Sequence, residues 1–87
     1  HQNYPNPFNP ITTIPFDIVS NDQITLMIYN IRGEMVRTLV NSNLNPGSYE
    51  VRWNGKSDSG INMSAGMYFI ELKGTNFRET NKMIYLK

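Results

Sequence analysis

Short runs of alternating apolar and polar residues, set apart by turn residues, constrain the fold of this 87-residue chain more than any other feature. Alternation with a period of two is the pattern of a β-strand that buries one of its faces. Asn, Gly and Pro gather between the runs, where each favours turns. The chain is therefore predicted to be all β.

The runs recur about every 8 to 12 residues, which is the spacing of about seven strands in a sandwich. No stretch between them is long enough for a helical crossover, so the sheets are predicted to be antiparallel. The predicted strands are Thr13 to Val19, Gln23 to Ile31, Glu34 to Asn41, Tyr49 to Trp53, a short edge segment at Ile61 to Met63, Gly66 to Lys73, and Phe77 to Lys87.

Side chains on one face of each run form the predicted core. Pro15 has no N–H for a ladder hydrogen bond, so the first strand is predicted to be an edge strand. Trp53 shares a face with Tyr49 and Val51 in the cleanest alternation of the chain. The other predicted core residues are Ile14, Phe16 and Ile18, then Ile24, Leu26 and Ile28, then Tyr68, Ile70 and Leu72, and finally Ile84 and Leu86, which are expected to close the core.

The segment after the second strand is predicted to be a tight hairpin, with Gly33 at positive φ after a type I turn. The next segment, Glu34 to Asn41, also fits helical spacing. Its eight residues include three β-branched ones, which favour a strand. Asn43 to Gly47 is predicted to be a loop.

Residues 1–12 are predicted to form an extended leader or linker, and residues 13–87 the sandwich itself. The leader carries three prolines in the run YPNPFNP, and proline favours an extended conformation in the residue before it. Tyr4 and Phe8 are expected to anchor the leader to the edge of the sandwich. With no starting Met and no signal peptide, the sequence is expected to be a fragment of a larger exported protein.

Composition argues against several classes of function. Eight basic and seven acidic side chains, spread along the chain, give a net charge of +1, which does not favour binding to nucleic acid or to an anionic membrane. Without cysteine, the chain has no disulfide, thiolate metal site or thiol nucleophile. Its longest apolar stretch is far shorter than the ~20 residues of a membrane-spanning helix, so no membrane insertion is expected.

Groups suited to catalysis are sparse. His1 is the only histidine and stands at the end of the sequence, which leaves little to build an imidazole base or a metal site. Two pairs of carboxylates could approach in space, but nothing fixes the separation that glycoside chemistry requires. These pairs are Asp17 with Asp22 and Glu50 with Asp58. We therefore expect no enzyme activity, no cofactor and no metal.

Calcium binding and sugar binding each explain part of the sequence less well than a structural role does. The turn Asp58-Ser59-Gly60 offers oxygen ligands for calcium but lacks the ligand order of an EF-hand loop, so turn chemistry explains it better. Exposed aromatic rings could stack on sugars, whereas the position of Trp53 favours burial. An exposed coplanar pair among Tyr29, Trp53, Tyr68 and Tyr85 would indicate sugar binding, and burial of Trp53 and Tyr68 would oppose it.

The run SAGMYFI, from Ser64 to Ile70, resembles the tyrosine corner of immunoglobulin domains. In that corner a tyrosine hydroxyl bonds to the backbone a few residues upstream. Tyr68 would be the corner residue, and Ile70 stands where a disulfide cysteine is otherwise found. Together with the strand pattern, this run predicts an immunoglobulin-like antiparallel β-sandwich.

Five strings, in order and spanning essentially the whole chain, together resemble the type A C-terminal sorting domain of the type IX (Por) secretion system. They are YPNPFNP at Tyr4 to Pro10, IYNIRGEMVRTLV at Ile28 to Val40, PGSYEVRWNG at Pro46 to Gly55, SAGMYFIEL at Ser64 to Leu72, and NKMIYLK at Asn81 to Lys87. A weaker resemblance, carried by the sandwich and the Trp-Asn-Gly turn, extends to the immunoglobulin-like domain of flagellar hook-capping proteins.

The first resemblance implies a secretion signal on proteins exported across the outer membrane of Bacteroidetes-type bacteria, and hence a secreted or cell-surface location. The implied partners are the type IX secretion machinery, a sortase-like peptidase that removes the domain in many members, and the parent protein on the N-terminal side. We expect the module itself to be a monomer. The residues implied in recognition of the signal are Gly47, Tyr49, Gly66, Tyr68, Lys82, Met83, Ile84, Leu86 and Lys87.

A sorting role requires a rigid scaffold that presents a recognition surface. The final hairpin, from Gly66 to Lys87, is expected to present an edge for strand addition to a receptor. The alternative interpretation is an accessory module of an extracellular enzyme, either carbohydrate-binding or structural.

Overall fold

The computed structural model describes residues 2–8 and 10–86. Its strands are β1 Thr12–Ile18, β2 Asp22–Asn30, β3 Met35–Leu44, β4 Gly47–Trp53, β5 Gly66–Lys73 and β6 Arg78–Tyr85. β1 pairs with β4 in one sheet, and the other sheet has the order β3-β2-β5-β6, with antiparallel pairing throughout. The two sheets enclose one core, which confirms the predicted all-β, immunoglobulin-like sandwich.

Alternation along the strands places the core as the sequence predicts for β1, β2 and β5. On β2, for example, Ile24, Leu26 and Ile28 are at most 1% exposed. Trp53, at the end of β4, is also fully buried. Nowhere in the described residues is there a helix long and apolar enough to cross a membrane.

The hairpin between β2 and β3 forms as predicted. Gly33 has a φ of 82°, and its N–H donates to the carbonyl oxygen of Asn30 at 2.9 Å. The ambiguous segment that follows belongs to strand β3, which extends to Leu44, so the connection to β4 is shorter than the predicted loop. Register shifts against β2 skip Val36 and Leu39 on β3. These irregularities explain why the apolar residues of a strand have a spacing that also fits a helix.

The predicted seventh strand, at Ile61 to Met63, is wrong. In its place the structure has one isolated bridge, between Lys56 and Asn62. The backbone groups of this segment bond within their own loop, because Ser57 N–H donates to the Ile61 carbonyl and Met63 N–H to the Gly55 carbonyl. The segment therefore pairs within its own loop and not with a strand of either sheet.

The predicted face of β6 is also wrong, by one residue. Met83 and Tyr85 are buried, at 0% and 7% exposure, whereas Ile84 and Leu86 are 38% and 48% exposed. The inward Tyr85 stacks on Phe8 and lies 6.1 Å from Trp53 between ring centroids. The aromatic contacts therefore select the Met83 and Tyr85 face for the core.

The leader packs along the open side of the sandwich, between β1 and β6. Phe8 is an anchor as predicted, since it is 1% exposed and belongs to the core. Tyr4 is different, because it is 53% exposed and is held to β1 through its backbone. Tyr4 N–H donates to the Thr13 carbonyl at 2.8 Å, and Thr13 N–H donates to the Tyr4 carbonyl at 2.7 Å. Asn3 is buried and donates to Thr12 Oγ1 at 2.8 Å. The division of the chain at residue 12 stays a prediction.

Candidate functional site

Two Gly-x-Tyr motifs open strands β4 and β5 and fold into the same local structure. Tyr68 Oη donates to the carbonyl oxygen of Ser64 at 2.6 Å, which confirms the predicted tyrosine corner. Tyr49 Oη donates in the same way to the carbonyl oxygen of Asn45, also at 2.6 Å and four residues upstream. The second corner was not predicted, although the repeated Gly-x-Tyr spacing is a signal that could have revealed it.

The two corners lie at opposite ends of the sandwich. Gly47 pairs with Ile18, where β1 turns into β2, whereas Tyr68 pairs with Asn30, beside the β2–β3 hairpin. The predicted recognition residues are therefore not brought together as one set. Gly47 and Tyr49 are remote from the rest.

The β5 motif lies directly against the terminal segment. In the register of β5 and β6, Gly66 pairs with Tyr85, Met67 with Ile84, Tyr68 with Met83 and Phe69 with Lys82. Six of the predicted recognition residues thus lie together, five of them in β5 and β6 and Leu86 directly after β6. They are Gly66, Tyr68, Lys82, Met83, Ile84 and Leu86, while Lys87 lies outside the described residues, as does His1.

In this region, the side chains divide into two faces. Tyr68 and Met83 point into the core, so their part in recognition could only be to position others. The outward side chains form a surface that we term the outer stripe, composed of Met67, Phe69, Lys82, Ile84 and Leu86. Three of its apolar members are 36 to 48% exposed, namely Met67, Ile84 and Leu86. Sequence reasoning missed Met67 and Phe69 because their place beside the terminal segment depends on strand register.

Burial raises the pH at which the β5 corner would lose its donor proton. The pKa of Tyr68 is raised above its ordinary value of 10.0, first by burial and then by the neighbouring Tyr85 hydroxyl. The Trp53 ring lies edge-on to Tyr68 at 5.2 Å between centroids. The phenol therefore remains a donor to the Ser64 carbonyl at and well above neutral pH, and the start of β5 stays fixed relative to the core.

The free edge of the terminal segment is covered by the leader. The peptide groups of Ile84 and Leu86 that face away from β5 bond to Phe8 and Asn6 instead. This finding corrects the expectation that the final hairpin offers an open edge for strand addition, since its C-terminal half is already paired. Asn6 is another residue that sequence reasoning did not single out.

The buried aromatic rings leave no stacking platform of the predicted kind. Trp53, Tyr68 and Tyr85 are 0%, 6% and 7% exposed, and Trp53 Nε1 donates to the Lys56 carbonyl at 2.8 Å. Tyr29 is half-buried, and its hydroxyl donates to Glu71 at 3.3 Å. The burial of Trp53 and Tyr68 opposes sugar binding.

The carboxylates considered for catalysis are engaged separately. Asp22 accepts from the backbone N–H and the hydroxyl of Thr75, and Asp58 accepts from Thr38 N–H at 3.0 Å. Asp17 accepts from Ser48 Oγ at 2.9 Å, and Glu50 from Tyr4 Oη at 3.3 Å. Across residues 2–8 and 10–86, no cluster of three or more His, Asp or Glu side chains could hold a metal ion. Each of these four carboxylates accepts hydrogen bonds from nearby strand, turn or leader residues.

A family model described as the FlgD Ig-like domain matches residues 18–77, which is well over half of the chain. This match corresponds to the second of the two resemblances, that to hook-capping proteins. No curated protein matches the sequence.

Two solved structures from Porphyromonas gingivalis share the fold. One is PorZ, described as an essential bacterial surface component of the type IX secretion system, with a TM-score of 0.70 and 17% identity over 99% of this chain. The other is dimeric latent PorU, with a TM-score of 0.70 and 18% identity over 98% of this chain. The chain spans only 11% of the PorZ chain and 9% of the PorU chain.

Proposed function

The chain belongs to the FlgD Ig-like domain family, and from that premise we propose that it is a sorting module, which directs its parent protein through the type IX secretion system. The module delivers the parent protein to the cell surface or the medium. It acts by being recognised, as a monomer and without catalysis. An immunoglobulin-like sandwich is a scaffold used for many functions, so the proposal depends on the surface that this copy presents.

The observation that carries the proposal is the convergence of two motifs that are separate in sequence. The Gly-x-Tyr motif of β5 and the terminal segment, both part of the resemblance to sorting domains, pair residue by residue and present the outer stripe. The buried corner of Tyr68 fixes the start of β5, and Met83 and Tyr85 fix β6 from the inside. A rigid and partly apolar strip of this kind suits recognition by a partner protein.

The similarity in shape to PorZ adds support. PorZ is a surface component of the type IX secretion system, and this chain has the fold of one segment of it. Under the proposal, this module and that segment share a fold because both operate at the same machinery. The sortase-like peptidase remains part of the proposal as the enzyme that removes the module after export.

The experiment that tests the proposal is export of a fusion protein. Residues 1–87 are joined to the C-terminus of a fluorescent reporter that is itself delivered to the periplasm, in a host with a working type IX system. We expect the reporter in the medium or on the cell surface, and in the periplasm of a secretion-deficient strain. Periplasmic retention of a folded fusion in the competent host would contradict the proposal.

The family membership favours one second candidate, a structural immunoglobulin-like module of an extracellular protein. Such a module would stabilise or space its neighbours and would need no recognition surface. It predicts that the fusion stays in the periplasm, and that substitutions in the outer stripe have no effect on the parent protein.

A further inference from the structure

The outer edge of β6 from Lys82, continued by Leu86 just beyond the strand, is one side of the four-stranded sheet. The leader bonds to four of the outward peptide groups of this edge. Ile84 N–H donates to Asn6 Oδ1, the Ile84 carbonyl accepts from Phe8 N–H, and Leu86 N–H donates to the Phe8 carbonyl, each at 2.9 Å. The Lys82 carbonyl accepts from Asn6 Nδ2 at 3.5 Å and from Gln2 Nε2 at 3.3 Å.

The leader meets this edge as an incomplete strand. Among the leader residues that the structure describes, only Phe8 pairs with this edge through its main chain, while Asn6 contributes its side-chain amide in place of a peptide group. Pro5 and Pro7, on either side of Asn6, have no N–H to donate. The contacts at 3.3 and 3.5 Å are at the limit of useful hydrogen-bond length. A proline-free strand in the same place would satisfy the edge with shorter bonds.

The buried Phe8 ring determines which side chain an incoming strand would need at this position. It is 1% exposed, stacks on Tyr85 at 4.9 Å and lies 5.6 Å from Trp53 between centroids. A strand that replaced the leader without a large aromatic side chain at this position would leave a cavity beside Trp53. The edge therefore selects for an aromatic residue as well as for extended backbone.

The leader is held at two places. Its first part is fixed on the β1 side by the buried Asn3 and by backbone pairing of Tyr4 with Thr13. Its second part, Asn6 to Phe8, contacts β6 and the core. Apart from Gln2 Nε2, which reaches the Lys82 carbonyl, the first part makes these contacts on the β1 side, so departure of the second part would leave them in place.

We propose that the second part of the leader is a displaceable cover, and that the β6 edge accepts an extended, proline-free segment of a partner protein with an aromatic residue at the Phe8 position. A second copy of this chain is a weaker occupant, because its leader is identical and gains no contacts to offset the cost of association. This inference deepens the proposed function and rests on it for the biological partner. The exchange at the edge is tested on the isolated chain.

The test is a titration of the ¹⁵N-labelled 87-residue chain with the peptide acetyl-Lys-Thr-Val-Thr-Phe-Thr-Val-Lys-amide, followed by NMR. Asn6→Ala loosens the cover but keeps the Phe8 ring, and Asn76→Ala is the matched control, in the exposed turn between β5 and β6. We expect the Ile84 and Leu86 amide signals to shift, and Asn6→Ala to bind the peptide about tenfold more tightly than the unaltered chain. Asn76→Ala should bind like the unaltered chain, and a peptide with Ala for Phe should bind more weakly.

Three results would overturn the inference. The first is that the peptide binds neither the unaltered chain nor Asn6→Ala. The second is that the signal changes are confined to residues outside β6 and the leader. The third is that Asn6→Ala sediments as a dimer that exchanges leaders. Failure here would leave the export of a reporter fusion unaffected. If the reporter fusion were not exported, the result of the peptide titration would be unaffected, so the two proposals can be told apart.

Discussion

The ring of Phe8 stacks on the ring of Tyr85, with the centroids 4.9 Å apart and the planes 12° from parallel. A residue of the leader and a residue of the last strand thereby complete the same aromatic cluster around Trp53. The leader is for this reason part of the folded core and contributes to the position of the terminal segment.

Phe8→Ala should destabilise the chain by about 3 to 5 kcal/mol, because it removes a fully buried ring and leaves a cavity. Tyr4→Ala is the matched control, since the Tyr4 side chain is 53% exposed and should cost less than about 1 kcal/mol. Urea unfolding followed by Trp53 fluorescence measures both. Equal, small losses for the two variants would show that the leader is not integrated into the core.

Tyr68→Phe should cost about 1 kcal/mol, because it deletes the hydrogen bond to the Ser64 carbonyl and keeps the ring in place. Tyr49→Phe removes the equivalent bond of the other corner, which is exposed to solvent, so water replaces it at lower cost. The same unfolding measurement should therefore rank Tyr68→Phe as the more destabilising. A larger loss for Tyr49→Phe would contradict the assignment of Tyr68 as the structural corner.

Gly55→Ala should destabilise the chain by about 2 kcal/mol or more, for two reasons. Gly55 has a φ of 75°, and a Cβ at this position would lie 2.7 Å from Tyr85 Cζ. Gly60→Ala is the control, because Gly60 has a similar φ of 83° with nothing within 4 Å of its Cβ position. The difference between the two variants in thermal or urea unfolding isolates the contact with Tyr85. No difference would mean that Tyr85 has room to move.

Acid should remove one specific contribution to stability. The pKa of Asp22 is lowered from its ordinary 3.8 by the hydrogen bond from the Thr75 side chain first, and then by the one from the Thr75 backbone. Because the folded-state pKa is depressed, the contribution is present above the unfolded-state pKa and is lost as the pH falls through the lower, folded value. Urea unfolding of Asp22→Asn between pH 5 and pH 2 should show a weaker dependence on pH than the unaltered chain. Identical pH profiles would exclude this linkage.

Sequence reasoning placed β1 and β2 correctly because their Ile, Leu and Phe residues stand at a single parity. On β1 and β2 the alternation leaves one face for the core, and the structure buries that face. The segment from Met83 to Leu86, at and just beyond the end of β6, is different because its apolar residues occupy both parities. The alternation of apolar and polar residues therefore does not indicate which face of this segment is buried. Contacts of Tyr85 with Phe8 and Trp53, which are distant in sequence, determine that the Met83 and Tyr85 face is buried.

The proposed recognition surface could be predicted only in part for a related reason. The resemblance pointed to the β5 motif and the terminal segment, but not to their register, which makes Met67 and Phe69 neighbours of Ile84 and Lys82. The cover over the β6 edge depends on the side chain of Asn6, which acts as a substitute for a peptide group. No local pattern in the sequence indicates such a contact across the whole chain.

Deletion of the last five residues is a poor test of the sorting role, because it also removes the buried Met83 and Tyr85 and would unfold the sandwich. Substitutions in the outer stripe avoid this problem. Ile84→Ser with Leu86→Ser changes only side chains that are 38% and 48% exposed. Val19→Ser with Ile61→Ser is the matched control, since those side chains are 90% and 61% exposed and lie outside the stripe.

The most direct test of the account is therefore export of the reporter fusion carrying each double variant, with folding of each isolated module verified by circular dichroism and urea unfolding. We predict that Ile84→Ser with Leu86→Ser stays folded and is retained in the periplasm, while Val19→Ser with Ile61→Ser is exported like the unaltered module. Normal export of a folded Ile84→Ser and Leu86→Ser module would contradict the claim that the outer stripe is the surface recognised for sorting.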